Sequence, residues 1–281
     1  MRSFVWAVAP AVAGALSAQA AQIDVVLFSE NFEGVPLGQS PQEDTTQNGV
    51  WSETPPTGWT VDNSGVPGQG DPTEGIEDWE GWAFVDEDFW LSADDQQRSQ
   101  FRDGFGEGTI AVADPDEWDD IGDPADTLGF FDAFLTTPEI DISAAPAGSL
   151  HLEFASSWRD EAFDDGDDFN ANGNNQTATI RVSYDGGTTY EEVLRWESDP
   201  TSAFFKDDAP NEMVMVALDN PETSMLLIEF GLTEAGNDWW WALDNIQVGF
   251  AESAIPLPLT APLLLGGLGG LVVLARRRKA A

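Results

Sequence analysis

Between residues 24 and 250 the chain advances in short runs of alternating apolar and polar residues, broken by glycine, proline and aspartate, and no run sustains a 3.6-residue period. A side-chain period of two marks a strand with one buried face, and a sheet without amphipathic helices to cover it must bury that face against another sheet. SLHLEFASSW is one such run, in which Leu150, Leu152 and Phe154 alternate with His151 and Glu153. Residues 177–184 and 190–196 make a hairpin around Asp185-Gly186-Gly187. DVVLF, GWTV, the stretch holding Trp82 and Phe84, TIAVA, FFDAFLTTPEIDIS, NEMVMVALD, SMLLIEFGL and WWWALDNIQVGF supply the rest. The spacing predicts an all-β fold, an antiparallel β-sandwich over residues 21–253, with about ten or more strands. Phe89-Trp90-Leu91 reads as the start of a short helix, residues 34–56 as a stretch broken by glycine and proline, and DPDEWDDIGDPAD as an acidic loop.

The last strand carries its own grammar. Trp239, Trp241 and Leu243 share one parity, whereas Ile246, Val248 and Phe250 share the other. Both sets point inward only if one extra residue stands between them, which predicts a β-bulge at Asp244-Asn245 and frees that acid–amide pair for binding.

The two ends are of a different kind. Residues 1–20 combine Arg2, an apolar run from Phe4 to Leu16 and the small-residue site Ala18-Gln19-Ala20, the pattern of a secretory signal peptide. Residues 255–275 hold no charge and Arg276, Arg277, Arg278 and Lys279 follow at once. As a helix that stretch would be about 31 Å long, enough to cross a hydrocarbon core, and its basic end would stay cytoplasmic. Pro256 and Pro258, on either side of Leu257, keep the entry to the span extended. Ile-Pro-Leu-Pro, an apolar span and Arg-Arg-Arg-Lys resemble the VPLPA-type PEP-CTERM sorting signals of Gram-negative bacteria, with Ile255 in place of the usual valine. The resemblance implies an exosortase-type sorting enzyme as partner and the inner membrane as a station before processing. The passenger would then reach the cell surface or the extracellular matrix.

Charge narrows the partners. None of the 51 acids and five of the 11 bases lie in those ends, so the passenger carries a net −45. Such a surface repels nucleic acid and anionic lipid, is soluble in salt, and offers oxygens to divalent cations. With no cysteine and a single histidine, His151, thiol chemistry and multi-histidine metal sites are excluded. His151 reads as a strand residue facing the surface.

Three local patterns remain. Asp168, Asn170 and Asn172, followed by Gly173, match the opening of an EF-hand-like loop, but Thr179 stands where a bidentate glutamate belongs. The loop is either a calcium-binding connection or a solvated turn. SYDGGTTY (183–190) fits an Asp-box, a turn whose aspartate bonds its own backbone, and carries no ligand. Tryptophans either fill the core or present flat faces to sugar rings. Trp240, opposite in parity to Trp239 and Trp241, and then Trp79 and Trp90, are the residues picked out for exposure.

The opening FSENFEG and the closing Leu-Asp-Asn-Ile-x-Val together resemble jelly-roll domains of the MAM and cleaved-adhesin type. That resemblance implies a jelly-roll-like antiparallel β-sandwich with first and last strands lying together and acids near them holding a structural cation; Glu33 and Asp244 match those positions and Glu30 does so more loosely. The expectation is therefore a non-catalytic exported surface or matrix protein, stabilised by Ca²⁺ and adhesive or structural. A carbohydrate-binding module for an extracellular polysaccharide is the alternative, and a secreted hydrolase using a carboxylate pair is a second one.

Overall fold

The computed structural model describes residues 22–40, 47–92, 101–102, 104–160, 175–221, 223–236 and 238–251. The signal peptide, the sorting residues Pro256, Leu257, Pro258, Arg276, Arg277 and Arg278, and the loop residues Asp168, Asn170 and Asn172 lie outside the described residues. Among those described, no helix is long and apolar enough to cross a membrane.

Two antiparallel sheets face one another. The first runs β12 (Ala209–Leu218), β9 (Leu150–Trp158), β14 (Trp241–Phe250), β6 (Thr109–Ala113), β5 (Trp82–Asp86), β3 (Asn48–Ser52) and β2 (Gly38–Gln39), with β1 (Val25–Glu30) also on β14. The second runs β11 (Glu191–Glu197), β10 (Thr177–Ser183), β13 (Met225–Ala235), β7 (Phe131–Thr136) and β4 (Thr60–Asp62), with β8 (Ile140–Asp141) also on β13. The expected all-β sandwich is thus present, and the first strand does lie beside the last.

The period-two pattern decides what lies between the sheets. On β9, Leu150, Leu152 and Phe154 are buried while His151 and Glu153 are half-buried, with the His151 ring 3.0 Å from the Ser149 carbonyl. Phe154 meets Phe230 of the opposite sheet at 5.8 Å between ring centroids, and Trp241 lies against both.

β14 is the spine of the molecule. It pairs with β9 along its length, with β6 at Trp241–Leu243 and with β1 from Ile246 to Phe250. The changeover falls at the expected bulge: Asp244 stands opposite Ala155 and Gln247 opposite Glu153, three steps against two, and Asn245 takes φ 51°. The extra residue turns Ile246 and Val248 into the core, where both are fully buried.

The Asp-box also forms. Asp185 accepts from the Thr189 amide at 2.9 Å and the Thr189 hydroxyl at 2.7 Å, and Ser183 Oγ accepts from the Gly187 amide at 2.8 Å. Those bonds favour the carboxylate and hold the Asp185 carboxyl down to about 2.

Two stretches differ from their reading. Residues 34–56 contribute β2 and β3, short strands whose Val50 and Trp51 are buried. DPDEWDDIGDPAD is not a bare loop: prolines in the first turn open two single-turn helices, α2 (Pro115–Trp118) and α3 (Pro124–Thr127). Its acids Asp114, Asp116, Glu117 and Asp119 are buried instead of solvated; Asp119 accepts from the Ala125 amide and Asp114 from the Trp90 indole.

Candidate functional site

The joint between the first and last strands holds the predicted acids. Glu33, just past β1, accepts from the Thr109 amide at 3.1 Å, and Asp244 at the bulge accepts from the amides of Asn245 at 2.6 Å and Glu107 at 3.1 Å. Asn245 donates to the Phe105 carbonyl at 2.8 Å. Glu30 instead turns back locally, capping the amides of Asn31 and Phe32. Gly108 makes the close approach: at φ 64°, a Cβ there would lie 2.0 Å from Glu33 Oε1. Glu33 and Asp244, the positions that the resemblance implied, lie near enough for the Glu33 charge to act on the Asp244 carboxyl.

Calcium takes six to eight oxygens. The joint offers two neighbouring carboxylates with Glu107 beside them, both already accepting backbone N–H groups. Among the described residues no group of three or more His, Asp or Glu side chains is arranged to hold a metal ion. The side chains supply a pair of acidic ligands and not a complete shell.

Burial, and after it the charges of Glu33 and Glu107, push the Asp244 carboxyl up to about 7, against the two backbone bonds that favour its charged form. Asp160 is likewise pushed up to about 7, by burial first and then by its hydrogen bond and repulsion with Asp208. A carboxyl whose folded pKa exceeds its unfolded value of about 4 stabilises the fold fully below that value, and the contribution disappears as pH rises through about 7. The melting temperature is therefore expected to fall between about pH 5 and pH 8. The loss is of the order of 1–2 kcal/mol once solvent screening at half-buried Asp160 is allowed for. Thermal melts at fixed ionic strength check this, and a melting temperature that rises over that range contradicts it.

The predicted tryptophan platform is not there. Trp240 is 1% exposed, and Trp79 and Trp90 are fully buried. Parity correctly put Trp240 on the face opposite Trp241, but that face is covered. The helical turn α1 (Glu87–Trp90) lays Trp90 edge-on against Trp240, 5.3 Å between centroids, and Trp239 packs on it at 5.4 Å. Its indole N–H bonds Ser157 Oγ at 3.2 Å, and the Arg159 guanidinium lies over Trp239 at 4.0 Å. Trp79 meets Trp51 at 6.4 Å. An alternation rule assumes solvent on one face of a sheet, and the connections either side of β6 replace that solvent here.

An opening among the described residues lies at the other edge, where the β3–β4 connection and β4 face the turn before β5. It is a cleft of about 470 Å³, within the size range of small-ligand sites. Glu53 lines it from the β3–β4 connection, Thr60 from β4 and Asn63 from just after β4; Glu77, Asp78 and Glu80 line it from the turn before β5. Gln69 adds an amide, and Trp59 and Trp82, 4% and 2% exposed, complete the polar and aromatic lining.

Local bonding fixes this shape. Glu80 accepts from the Gly70 amide at 2.8 Å, tying the loop to the wall. Gly81 takes φ 137°, and a Cβ there would meet Asn63 Cβ at 2.7 Å, so only glycine lets the two segments approach. Trp59 is held by Phe32 at 5.5 Å and Phe28 at 6.1 Å, and Trp82 by Trp241 at 5.7 Å.

Two electrostatic features mark the cleft. Burial, then the charges of Asp78 and Glu77, raise the Glu53 carboxyl above its ordinary value. Burial also raises Glu80, with Glu77, Glu53 and Asp78 adding repulsion against the Gly70 bond. The indole N–H groups of Trp59 and Trp82 find no hydrogen-bond partner among the described residues. A buried donor without an acceptor costs about 1–3 kcal/mol, and both nitrogens lie closed to solvent within the wall of the cleft. Sequence reasoning missed these residues because the cleft joins segments that only the fold brings together. The one local signal was Glu77-Asp78-Trp79-Glu80-Gly81-Trp82, acids interleaved with tryptophans.

No family model and no curated protein matches the chain. Among solved structures, it is similar to TmCBM61 in complex with β-1,4-galactotriose at 12% identity and TM-score 0.37, covering 69% of this chain and 90% of that one. The K2 cleaved adhesin domain of Lys-gingipain matches at 15% and 0.40, covering 80% and 98%. The CBM22-1 xylan-binding domain from Paenibacillus barcinonensis Xyn10C matches at 13% and 0.35, covering 84% and 100%. Likeness at these scores carries no function to this chain, which must be argued from its own residues.

Proposed function

We propose that this is a non-catalytic, exported domain that holds a polysaccharide in the cleft between Glu53 and Glu80, and so serves as an adhesive or structural component at the cell surface or in the extracellular matrix. One observation carries the reading: carboxylates and amides line one cleft whose wall is built on two buried tryptophans, Trp59 and Trp82. A sugar hydroxyl both donates and accepts, so one ligand class suits the carboxylates and the amides together. Export rests on the signal-peptide pattern and the exosortase-type tail, and intact-mass measurement of surface-extracted protein tests it. Loss of residues 1–20 and of the basic tail is expected; a full-length mass contradicts it.

Retention on a panel of neutral, cationic and anionic polysaccharides, by affinity electrophoresis, tests the binding. At least one polysaccharide is expected to retard the protein. Gln69→Ala with Glu77→Gln should weaken retention about tenfold, which is 1.4 kcal/mol, without altering the melt. Retention unchanged by these substitutions contradicts the cleft as the site.

Glycoside hydrolysis is a second reading, favoured by the raised carboxyls of Glu53 and Glu80, since a hydrolase needs one protonated acid. Binding is preferred because Glu53 is only partly withdrawn from solvent and Glu80 is engaged with Gly70. A reducing-sugar assay on every retained polysaccharide should show no turnover; turnover lost in Glu80→Gln would establish the hydrolase.

Calcium belongs to the proposal only as a stabiliser of the Glu33–Asp244 joint. A ligand of the folded state at 100 times its Kd adds about 2.7 kcal/mol. Near pH 8, Ca²⁺ is expected to raise the melting temperature beyond NaCl of equal ionic strength; coincident melts with Ca²⁺ and with chelator exclude it.

A further inference from the structure

We infer that an uncharged polysaccharide runs on from the cleft across the outer face of the second sheet, along a track of aromatic rings and guanidinium groups. The inference rests on reading the cleft as a glycan site and adds a binding surface to it. Strand register builds the track. Thr60 of β4, which lines the cleft, stands opposite Thr136 of β7, and Asp62 stands opposite Phe134. From Phe134 one row crosses the whole sheet: Gly231 on β13, Thr179 on β10 and Arg195 on β11 follow as partners. The Phe204 ring closes the row, its centroid 5.9 Å from the Arg195 guanidinium carbon. Four strand spacings put about 19 Å between β4 and β11. Two residues along β10 from Thr179, Arg181 lies over two more rings, 5.2 Å from the Phe134 centroid and 5.3 Å from that of Tyr190.

The middle of the row is kept low. A Cβ at Gly231 would lie 2.8 Å from both Phe134 Cε1 and Thr179 Oγ1, so glycine is what lets the Phe134 ring lean over β13. The guanidinium groups are held in place yet accessible. Arg181 Nε donates to Glu229 at 2.6 Å, and Arg195 donates to Glu192 at 3.0 and 2.7 Å; their side chains remain 38% and 31% exposed. Each positive group is thus balanced by a carboxylate, which suits an uncharged polymer, whereas an anionic one would meet the net −45 of the passenger. A sugar ring offers an apolar C–H face to an aromatic ring and hydroxyls to a guanidinium, and groups already held lose little freedom on binding. A second protein molecule fits less well. Even half exposed, three aromatic side chains of about 200 Å² each present roughly 300 Å², against about 800 Å² per partner in a stable complex.

Titration calorimetry with the trimers and hexamers of β-1,4-linked glucose, xylose and galactose tests this. At least one hexamer should bind at least about tenfold more tightly than its trimer, which the cleft alone can hold. Phe134→Leu with Phe204→Ala should erase that advantage and leave the trimer unchanged; the leucine keeps an apolar side chain over Gly231, so the melt should not move. Phe204→Ala alone should already weaken the hexamer about threefold. Met213→Ala, at an exposed apolar residue of the other sheet, should change neither ligand. A hexamer weakened by Gln69→Ala with Glu77→Gln but not by the phenylalanine pair overturns the track and leaves the cleft reading standing. An equal loss in Met213→Ala shows unspecific apolar adhesion and overturns the track also. A loss in the phenylalanine pair with none in the cleft pair keeps the face as a site and sinks the cleft reading. If no hexamer binds, both fall.

Discussion

Trp241→Ala is expected to destabilise the domain by about 3–5 kcal/mol, a large part of the 5–15 kcal/mol that holds a typical domain together. The Trp241 ring lies where the two sheets meet. Its centroid is 5.7 Å from Trp82, 5.9 Å from Trp196, 6.0 Å from Phe230 and 6.4 Å from Phe154. Those neighbours belong to β5, β11, β13 and β9, so one side chain bridges both sheets. Its N–H donates to Ser156 Oγ at 3.1 Å in a fully buried setting. Truncation removes the ring, leaves a cavity that close-packed strands cannot collapse, and strands a hydroxyl. The urea midpoint measures the loss. Phe204→Ala, at a side chain 52% exposed, should stay within about 0.5 kcal/mol. A Trp241→Ala variant as stable as the parent would mean that the sheets do not meet on this ring.

Gly249→Ala should be nearly as damaging, for a backbone reason. Gly249 sits on β14 opposite Val26 of β1, and an added Cβ would fall 2.2 Å from the Val25 carbonyl oxygen and 2.5 Å from Ile23 Cγ2. The nearest atom is backbone, so it cannot swing aside as a side chain would. Either β1 shifts or it leaves. Overpacking of this kind costs about 1–3 kcal/mol, and losing the ladder between β1 and β14 adds to it. Undocking would also release Phe28 and Phe32, which hold Trp59 in the cleft. Hydrogen exchange should show β1 amides opening first. Gly34→Ala is the matched control: nothing lies within 4 Å of its Cβ position, and it should be neutral within about 0.5 kcal/mol. Equal stability of the two variants would contradict the placement of β1.

Much of the sandwich was legible because the physics that makes it is local. Alternation at Leu150, Leu152 and Phe154 marks a buried face, Asp185-Gly186-Gly187 marks a hairpin, and the parity change after Leu243 marks a bulge. The placement of Glu33 near Asp244 came from the resemblance to jelly-roll domains and not from any local period. What alternation cannot report is what covers a sheet's second face. Trp240 had the parity of an exposed residue, yet Trp90 from a connection far away in sequence closes over it. The same blindness turned Asp114 and Glu117, which look like solvent-loving acids, into buried groups. The cleft was hidden for another reason: Asn63 and Gly81 touch across a gap of 18 residues, and neither is marked by any period. Whatever Asp168, Asn170 and Asn172 do, they fall outside the described residues.

The central claim is that the cleft beside Trp59 and Trp82 is where the protein holds its ligand. Indole N–H resonances of ¹⁵N-tryptophan-labelled protein test it directly. On titration with a retained oligosaccharide, the Trp59 and Trp82 signals should shift as the ligand changes the surroundings of the wall they build. The signals of Trp90, Trp240 and Trp241, already bonded to Asp114, Ser157 and Ser156, should stay in place. Binding that moves those three and leaves Trp59 and Trp82 unchanged would place the ligand elsewhere and contradict the account.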